Sequence, residues 1–590
     1  MSFAKRLEAV RDELRRSSVD AFILQRTDRH GSEYLPECEQ RVAWLTGFTG
    51  SAATVAVTID QAAVFSDGRY TVQLGEEVDS ALFERCHLID EPPRQWLEER
   101  LSSGSRLGHD AWLTKKAERK SLKAMMSRKG GELITIENPV DAVWKDRPAA
   151  PLAPVHALDI EYSGLATSAK RTAMARSIAK AGADALLVTA TDHIAWLLNI
   201  RGNDIPFNPL CLSYLLLKSD GLCLWMVDPR KLGDLETLGD GIEIAPYDAL
   251  DQTISSLSGK AVLVDPAYTH VGFIDILEAA GARVVEGDDP IVMAKAVKND
   301  VEIRGAIAAQ ERDGAAMVRF LHWLDNIPHD GTVSEMDAVR QLELERAADP
   351  LYRGPSFDTI SAHGPHAALP HYRVSDKSNR PLTAGTTYLV DSGGQYPDGT
   401  TDITRTIAMG EVSPEVKRTF TLVLKGHIAL ATALFPRGTS GAQLDTLARH
   451  PLWQAGLDFD HGTGHGIGAY LCVHEGPQRI ARTGNVPLKP GMIVSNEPGY
   501  YKTGHFGIRI ENLVVVEAVP KTDGEEREFH RFKTITLCPI DRRMIDMALL
   551  DTDEKQWLDT YHERVRSRLL PLINEAACRA WFERATAPLA

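Results

Sequence analysis

The sequence predicts a mixed α/β protein: two tandem, mutually similar α/β domains, a larger domain carrying the chemistry, and a helical C-terminal extension. Three observations predict it. They are an internal repeat, a proline-rich connector between its two copies, and a concentration of carboxylate and imidazole residues in one later stretch. With 590 residues, of which 43% are hydrophobic and 25% charged, the chain has the balance of an ordinary globular protein and the length of several domains.

The repeat comes first. Val19-Asp-Ala-Phe-Ile-Leu24 and Thr27-Asp28 recur 164 residues later as Ala183-Asp-Ala-Leu-Leu-Val188 and Thr191-Asp192. Val42-Ala-Trp-Leu45 recurs after only 152, as Ile194-Ala-Trp-Leu197, so the second copy has a loop shorter by twelve residues. Each copy opens on an amphipathic helical pattern (4–16 and 170–181) that feeds an apolar, strand-like run, as expected of an α/β unit. Between them, prolines 148, 151 and 154 favour an extended connector. A further boundary is expected near 297, where Asn299 and Glu302 make a capping pair before a long helical pattern through Ile303, Ile307, Met317, Phe320 and Leu324. Ser413-Pro414 opens another helix, with Phe420, Leu424, Ile428 and Ala431 inward. After Pro539 the pattern turns polar and helical, through Trp557, Tyr561, Arg564 and Leu569. The expected domains are 1–155, 156–297, 298–540 and 541–590.

Composition excludes several functions. Acidic residues exceed basic ones by 15 and no basic run stands out, which argues against a nucleic-acid partner. No run of 18 uncharged apolar residues exists, so no membrane span is expected. The N-terminus lacks the continuous apolar core of a signal peptide. The seven cysteines are scattered, without a CxxC pair, and read as reduced thiols in a cytoplasmic protein.

The stretch from His363 to Glu511 holds nine of the nineteen histidines, and its charged groups sit in apolar or glycine-rich settings where an unpaired charge is costly. A β-rich run ends at Asp391, and Asp402 follows eleven residues later; a hairpin turning through 395–400 would bring the two together. His461-Gly-Thr-Gly-His465-Gly-Ile-Gly packs four glycines into eight residues, so its backbone can approach a neighbour closely. His474 lies nine residues further on. Glu497 and Glu511 each interrupt strand-like apolar runs. Were Glu511 structural, Arg509 or Arg405 would be its salt-bridge partner. Four carboxylates (Asp391, Asp402, Glu497, Glu511) match two divalent cations in charge, with His465 completing one shell. Oxygen ligands with one imidazole suit Mn²⁺, Co²⁺ or Zn²⁺, and two such ions could activate a shared water for hydrolysis.

These motifs resemble the pita-bread-fold metallopeptidases, and above all the long, three-domain cytosolic Xaa-Pro aminopeptidases (aminopeptidase P). The resemblance spans nearly the whole chain: Phe48-Thr-Gly-Ser51, Ser66-Asp-Gly-Arg-Tyr70, Arg201-Gly-Asn-Asp204, Asp313-Gly-Ala-Ala316, Val390-Asp-Ser-Gly393, Thr401-Asp-Ile-Thr-Arg-Thr406, His461-Gly-Thr-Gly-His-Gly466, His474-Glu-Gly-Pro477, Asn496-Glu-Pro-Gly-Tyr-Tyr501 and Gly507-Ile-Arg-Ile-Glu-Asn512. It implies two creatinase-N-like α/β domains ahead of a pita-bread catalytic domain with a helical tail. It implies two divalent ions, Mn²⁺ foremost with Zn²⁺ or Co²⁺ as alternatives, on Asp391, Asp402, His465, Glu497 and Glu511. Asp402 and Glu511 would bridge the ions, and Glu497 would also shuttle the proton from the nucleophilic water, which attacks as a metal-bridging hydroxide. His371 would help place the scissile carbonyl, His461 and His474 would line the proline side and stabilise the oxyanion, and Arg509 would orient substrate.

The activity implied is release of the N-terminal residue from peptides with proline second. An X-Pro amide has no N–H, so a shaped pocket must hold the ring instead. The sequence departs from the family at Ala367, where a glycine is usual. A homodimer is implied, with Trp453 as a candidate contact or else an ordinary buried tryptophan. The rival within the fold is a prolidase-type X-Pro dipeptidase, which usually lacks the duplicated N-terminal domains and the tail. Creatine hydrolases lack this metal set, and methionine aminopeptidases lack the two preceding domains. A non-catalytic binding protein on the same fold would hold no metal.

Overall fold

The computed structural model describes all residues except 234, 236, 237, 522–525 and 590. They form two compact units, Met1–Leu158 with Leu165–Val292, and Asp159–Gly164 with Met293–Ala590.

The first unit contains two six-stranded sheets of the same design. One runs, in space, Glu84–His87, Ala62–Ser66, Thr54–Thr58, Ala21–Gln25, Arg106–His109, Glu132–Thr135; the other Ile242–Ala245, Cys223–Val227, Ser213–Lys218, Ala185–Val188, Ala261–Val264, Arg283–Glu286. Parallel and antiparallel pairings match strand for strand, including the antiparallel neighbours of Ala21–Gln25 and Ala185–Val188. The first and third repeated blocks therefore occupy equivalent places, on the strands Ala21–Gln25 and Ala185–Val188 and on the helices Arg41–Thr46 and Thr191–Leu198, whereas Thr27-Asp28 lies in a loop and Thr191-Asp192 begins a helix. Both helices that open the copies are present, as Phe3–Arg16 and Thr167–Lys180. The extra residues of the first copy form the segment ahead of the helix Arg41–Thr46, with a single 3-10 turn at Glu37–Glu39. In the second copy the equivalent helix, Thr191–Leu198, starts at once.

The second unit opens on Asp300–Asn326, whose N-terminus carries the reciprocal Asn299 and Glu302 cap. Its sheets are a three-stranded antiparallel one, with Thr386–Ser392 between Ile360–His363 and Ile403–Met409, and a six-stranded one. In the latter, Ile493–Asn496 lies between Asn512–Ala518 and the short strand Gly464–Gly466. A two-stranded ladder joins Gly499–Lys502 to Phe506–Arg509. The helix Pro414–Ala431, capped by Ser413, packs Phe420, Val423 and Leu424 into one core with Ile508 and Ile510. The same core includes Leu558, Tyr561, Val565 and Phe582 of the C-terminal helices Thr552–Leu569 and Ala576–Ala585. The tail is thus part of this unit's interior.

Trp453, read from sequence as a dimer contact or a buried core residue, is 43% exposed at the end of Gly441–Trp453, which removes the second reading. No helix among the described residues is long and apolar enough to cross a membrane.

Candidate metal centre

Asp391 is the penultimate residue of Thr386–Ser392, paired with Thr404 across the ladder, and Asp402 immediately precedes Ile403–Met409. A short ladder, Gln395 to Thr400 and Tyr396 to Gly399, closes the expected turn. Gly393 permits the closure: a Cβ there would lie 1.9 Å from the Thr401 carbonyl oxygen. Only a residue without one lets the chain fold back and set the two aspartates side by side.

His465 stands in the middle of Gly464–Gly466, so the glycine-rich segment is in part a sheet strand. Its amide donates to Ser495 Oγ at 2.9 Å. Its Nδ1 lies 3.0 Å from the Gly466 carbonyl, which orients that nitrogen as donor and turns Nε2 toward Asp402 (3.4 Å) and Glu497 (3.5 Å). A backbone carbonyl behind the ring is the usual support of a metal-ligating histidine. Glu497 follows the strand Ile493–Asn496 and is tied by its amide to the Thr463 carbonyl, 2.8 Å.

Glu511 sits where Phe506–Arg509 gives way to Asn512–Ala518. Its carboxylate accepts from the Thr404 hydroxyl at 2.7 Å. Neither expected salt-bridge partner serves it. Arg405 donates to its backbone carbonyl (2.6 Å), while Arg509 donates to Asp391 (2.5 Å), to Tyr501 Oη (2.7 Å) and to Thr404 Oγ1 (3.1 Å).

Ligand atoms of Asp402, His465 and Glu511 all lie within 4.8 Å of one another. Asp391 joins them through the field of Asp402, and Glu497 through His465. Burial pushes the Asp391 carboxyl up, with Arg509 opposing and Asp402 adding to it. Burial likewise raises Glu497, against His465 and Arg509. Glu511 is driven well above the carboxylate range, by burial and then by Asp402, Glu497 and Asp391. Burial disfavours the His465 cation, yet Asp402 and Glu497 outweigh it and bring its pKa to about 9. Four carboxylates share one guanidinium and the His465 imidazole, so fully ionised they would carry an excess of negative charge in a buried place, at several kcal/mol per unpaired ion; the raised carboxyl and imidazole pKa values are the cluster's response to it. Asp391 Oδ1 is buried without a hydrogen-bond partner. An orphaned carboxylate oxygen, an oriented imidazole nitrogen and excess negative charge together fit divalent cations.

The other expected residues surround this cluster to different degrees. The His474 ring meets His465 edge-on, centroids 4.4 Å apart. His461 Nδ1 is 2.7 Å from the Gly462 carbonyl, so that nitrogen donates and Nε2 accepts from Tyr501 Oη at 2.8 Å. His371 lies in a half-buried loop. The loop is held on both sides of it: buried Glu335 accepts from His366 Nδ1 (2.8 Å), Tyr372 Oη (3.0 Å) and the Arg380 amide (3.0 Å). Its preceding turn presses on the Arg509 strand, where a Cβ on Gly507 would lie 1.6 Å from the Ala367 carbonyl oxygen.

Sequence reasoning assigned no role to Thr404, Tyr501, Glu335 or Arg449. Arg449 donates to the carbonyls of Phe459 and His461 and to Asp445 and Asp458, fixing the approach to His461. For Tyr501 a signal existed, since it pairs with Gly507 across a tight hairpin. Thr404 and Glu335 act over long sequence separations and left none.

The chain belongs to metallopeptidase family M24. That family's profile matches residues 305–518, and the profile of its C-terminal region matches 528–589. Profiles of the creatinase/prolidase N-terminal domain match 6–143 and 146–302. Among named relatives, "Probable Xaa-Pro aminopeptidase P" of Laccaria bicolor is 40% identical, covering 99% of this chain and 93% of that one. "Aminopeptidase P2" of Arabidopsis thaliana is 38% identical over 97% and 86%. The crystal structure of the X-prolyl aminopeptidase of Caenorhabditis elegans, described as a cytosolic enzyme with a di-nuclear active site, superposes with a TM-score of 0.94 at 36% identity, each chain covered in full. The Xaa-Pro dipeptidase of Bacillus anthracis is similar over 63% of this chain and 99% of its own (TM-score 0.52, 25% identity).

Proposed function

We propose that this chain is a dinuclear Xaa-Pro aminopeptidase, releasing the N-terminal residue from peptides with proline in second position. The observation that carries the reading is the buried cluster of Asp391, Asp402, His465, Glu497 and Glu511, whose uncompensated charge calls for divalent cations, in a chain similar end to end to proteins of that name. The dipeptidase alternative fits less well, because the likeness to a dipeptidase covers 63% of the chain.

Those five residues would hold the ions, Mn²⁺ foremost. Bound there, they supply Lewis acidity and an activated water. The chain's own groups do the rest. Glu497 moves the proton of the attacking water, and His371, from its pinned loop, places the scissile carbonyl. His474 and His461 line the proline side, His474 meeting the developing oxyanion and His461 held in place between the Gly462 carbonyl and the Tyr501 hydroxyl. Arg509, held by Asp391 and Tyr501, orients substrate. The domain division is 1–155, 156–297, 298–540 and 541–590. The seven scattered cysteines support a reducing, cytoplasmic setting, and exposed Trp453 supports a homodimer contact.

Metal-stripped protein offered Arg-Pro-Pro and Arg-Ala-Ala is expected to cleave neither. After Mn²⁺ it is expected to release arginine from Arg-Pro-Pro alone. Cleavage of neither peptide with metal bound sinks the reading, and sedimentation of the active preparation as a monomer removes the dimer.

A further inference from the structure

Arg405 is 1% exposed, and its guanidinium makes an unusual set of bonds. Nε donates to the Pro539 carbonyl at 2.9 Å. Nη1 donates to the carbonyls of Thr404 (2.9 Å) and Glu511 (2.6 Å). Nη2 donates to Asn512 Oδ1 (2.8 Å), to the Cys538 carbonyl (2.9 Å) and to Tyr561 Oη (2.9 Å). Every acceptor is neutral. Among the described residues no carboxylate lies within ion-pairing distance of this buried cation, although buried charges are ordinarily paired. The excess negative charge of the unit is the carboxylate cluster that Glu511 belongs to.

Tyr561 completes the arrangement from the tail. Its hydroxyl, on Thr552–Leu569, accepts from Arg405 and lies 2.9 Å from the Cys538 carbonyl. Its ring stacks on Trp557 at 5.4 Å with planes 2° apart. A rigid aromatic pair thus presents one oxygen to the guanidinium. The guanidinium grips the backbone on both sides of the metal cluster, at Thr404 and at Glu511, and the Thr404 hydroxyl then holds the Glu511 carboxylate.

We propose that Tyr561 and Arg405 are positioning residues through which the C-terminal extension sets Glu511 and Thr404 at the metal centre, with Arg405 adding positive charge behind the carboxylates. This deepens the proposed function and rests on the reading of Glu511 as a metal ligand. Outer partners of metal ligands typically govern affinity by ten- to a hundred-fold, so a tail residue outside the cluster would tune metal binding.

The test is Mn²⁺ titration calorimetry on metal-stripped full-length protein, with kcat and KM on Arg-Pro-Pro. Tyr561→Phe keeps the ring stack and removes one oxygen. It is expected to weaken Mn²⁺ binding about tenfold and to lower kcat with KM unchanged. Arg405→Lys, which keeps the charge and loses the fork, is expected to weaken it further. Arg566→Ala, which loses bonds within the tail to the Thr586 carbonyl and hydroxyl, is expected to lower the melting temperature and leave Mn²⁺ affinity unaltered. If Tyr561→Phe melts earlier but binds Mn²⁺ as the unmodified protein does, the tail is merely structural and the proposal fails, whether or not Arg405→Lys folds. If the unmodified protein takes up no Mn²⁺, the metal-site reading fails first and the proposal with it.

Discussion

Tyr501 is the residue on which most of the polar geometry turns. One hydroxyl accepts from Arg509 Nη1 and donates to His461 Nε2, and burial pushes its own pKa up to about 12, so it stays a neutral phenol at working pH. Tyr501→Phe leaves a buried donor and a buried acceptor unserved, at roughly 1–3 kcal/mol. Expressed in the transition state, that lowers kcat/KM by about ten- to a hundred-fold. Steady-state kinetics on Arg-Pro-Pro measure it, and a change below twofold would show that the hydroxyl positions nothing. At this scale the sequence was legible wherever chemistry is local. Carboxylates stranded in apolar runs announce themselves, as Glu511 does. Which cation each one meets is decided by folding: Arg509 is two residues from Glu511 yet bonds Asp391, 118 residues away. The Thr404 hydroxyl is invisible for the same reason, since its partner lies 107 residues on.

Helices whose ends carry their own instructions were the most legible elements. The Asn299 and Glu302 cap and the Ser413-Pro414 start are satisfied within four residues, so nothing distant can override them. The short strand holding His465 was hidden in a glycine-rich segment, because its glycines answer to backbone on neighbouring strands. The helix Thr552–Leu569 adds a pH dependence. The Ile540 amide donates to His562 Nε2 at 3.1 Å, a bond only the unprotonated nitrogen can accept. Burial first, then Arg405 and other arginines, lowers the His562 pKa to about 3, from the ordinary 6.5. The folded value lies below the unfolded one, so the stabilisation is complete above about pH 6.5 and is lost as pH falls toward 3. The slope is up to about 1.4 kcal/mol per pH unit. Urea midpoints at pH 7.5 and 5 should therefore fall on acidification, and His562→Gln, which keeps an acceptor but does not titrate, should flatten the fall. An unchanged slope in that variant would rule His562 out as its source.

Across the whole molecule, the expected metal ligands separate the two compact units. Every expected metal ligand lies in Met293–Ala590. Metal at a hundred times its dissociation constant stabilises the state that binds it by about 2.7 kcal/mol. Scanning calorimetry of stripped and Mn²⁺-loaded protein should show the added stability in that unit, followed by hydrogen exchange in the Asp391 and Glu511 segments, with exchange in the sheets of Met1–Leu158 and Leu165–Val292 unaltered. Equal protection of both units would mean that the ions bind elsewhere. The duplication of the N-terminal sheets was readable from short repeated blocks, since equivalent strands need equivalent apolar faces. The share of the tail in the catalytic core was not, because its partners, Phe420 and Val423 among them, lie more than a hundred residues earlier and look like any helix face.

That shared core also bears on how the protein is made. The helix Pro414–Ala431 leaves the ribosome well before Thr552–Leu569 and Ala576–Ala585, the segments that cover its apolar side. Until those two segments emerge, a nascent chain holds a finished first unit and an unsealed second one. A polypeptide lacking Thr552–Leu569 and Ala576–Ala585 would expose sticky surface rather than be a slightly smaller working protein, a natural substrate for cellular quality control.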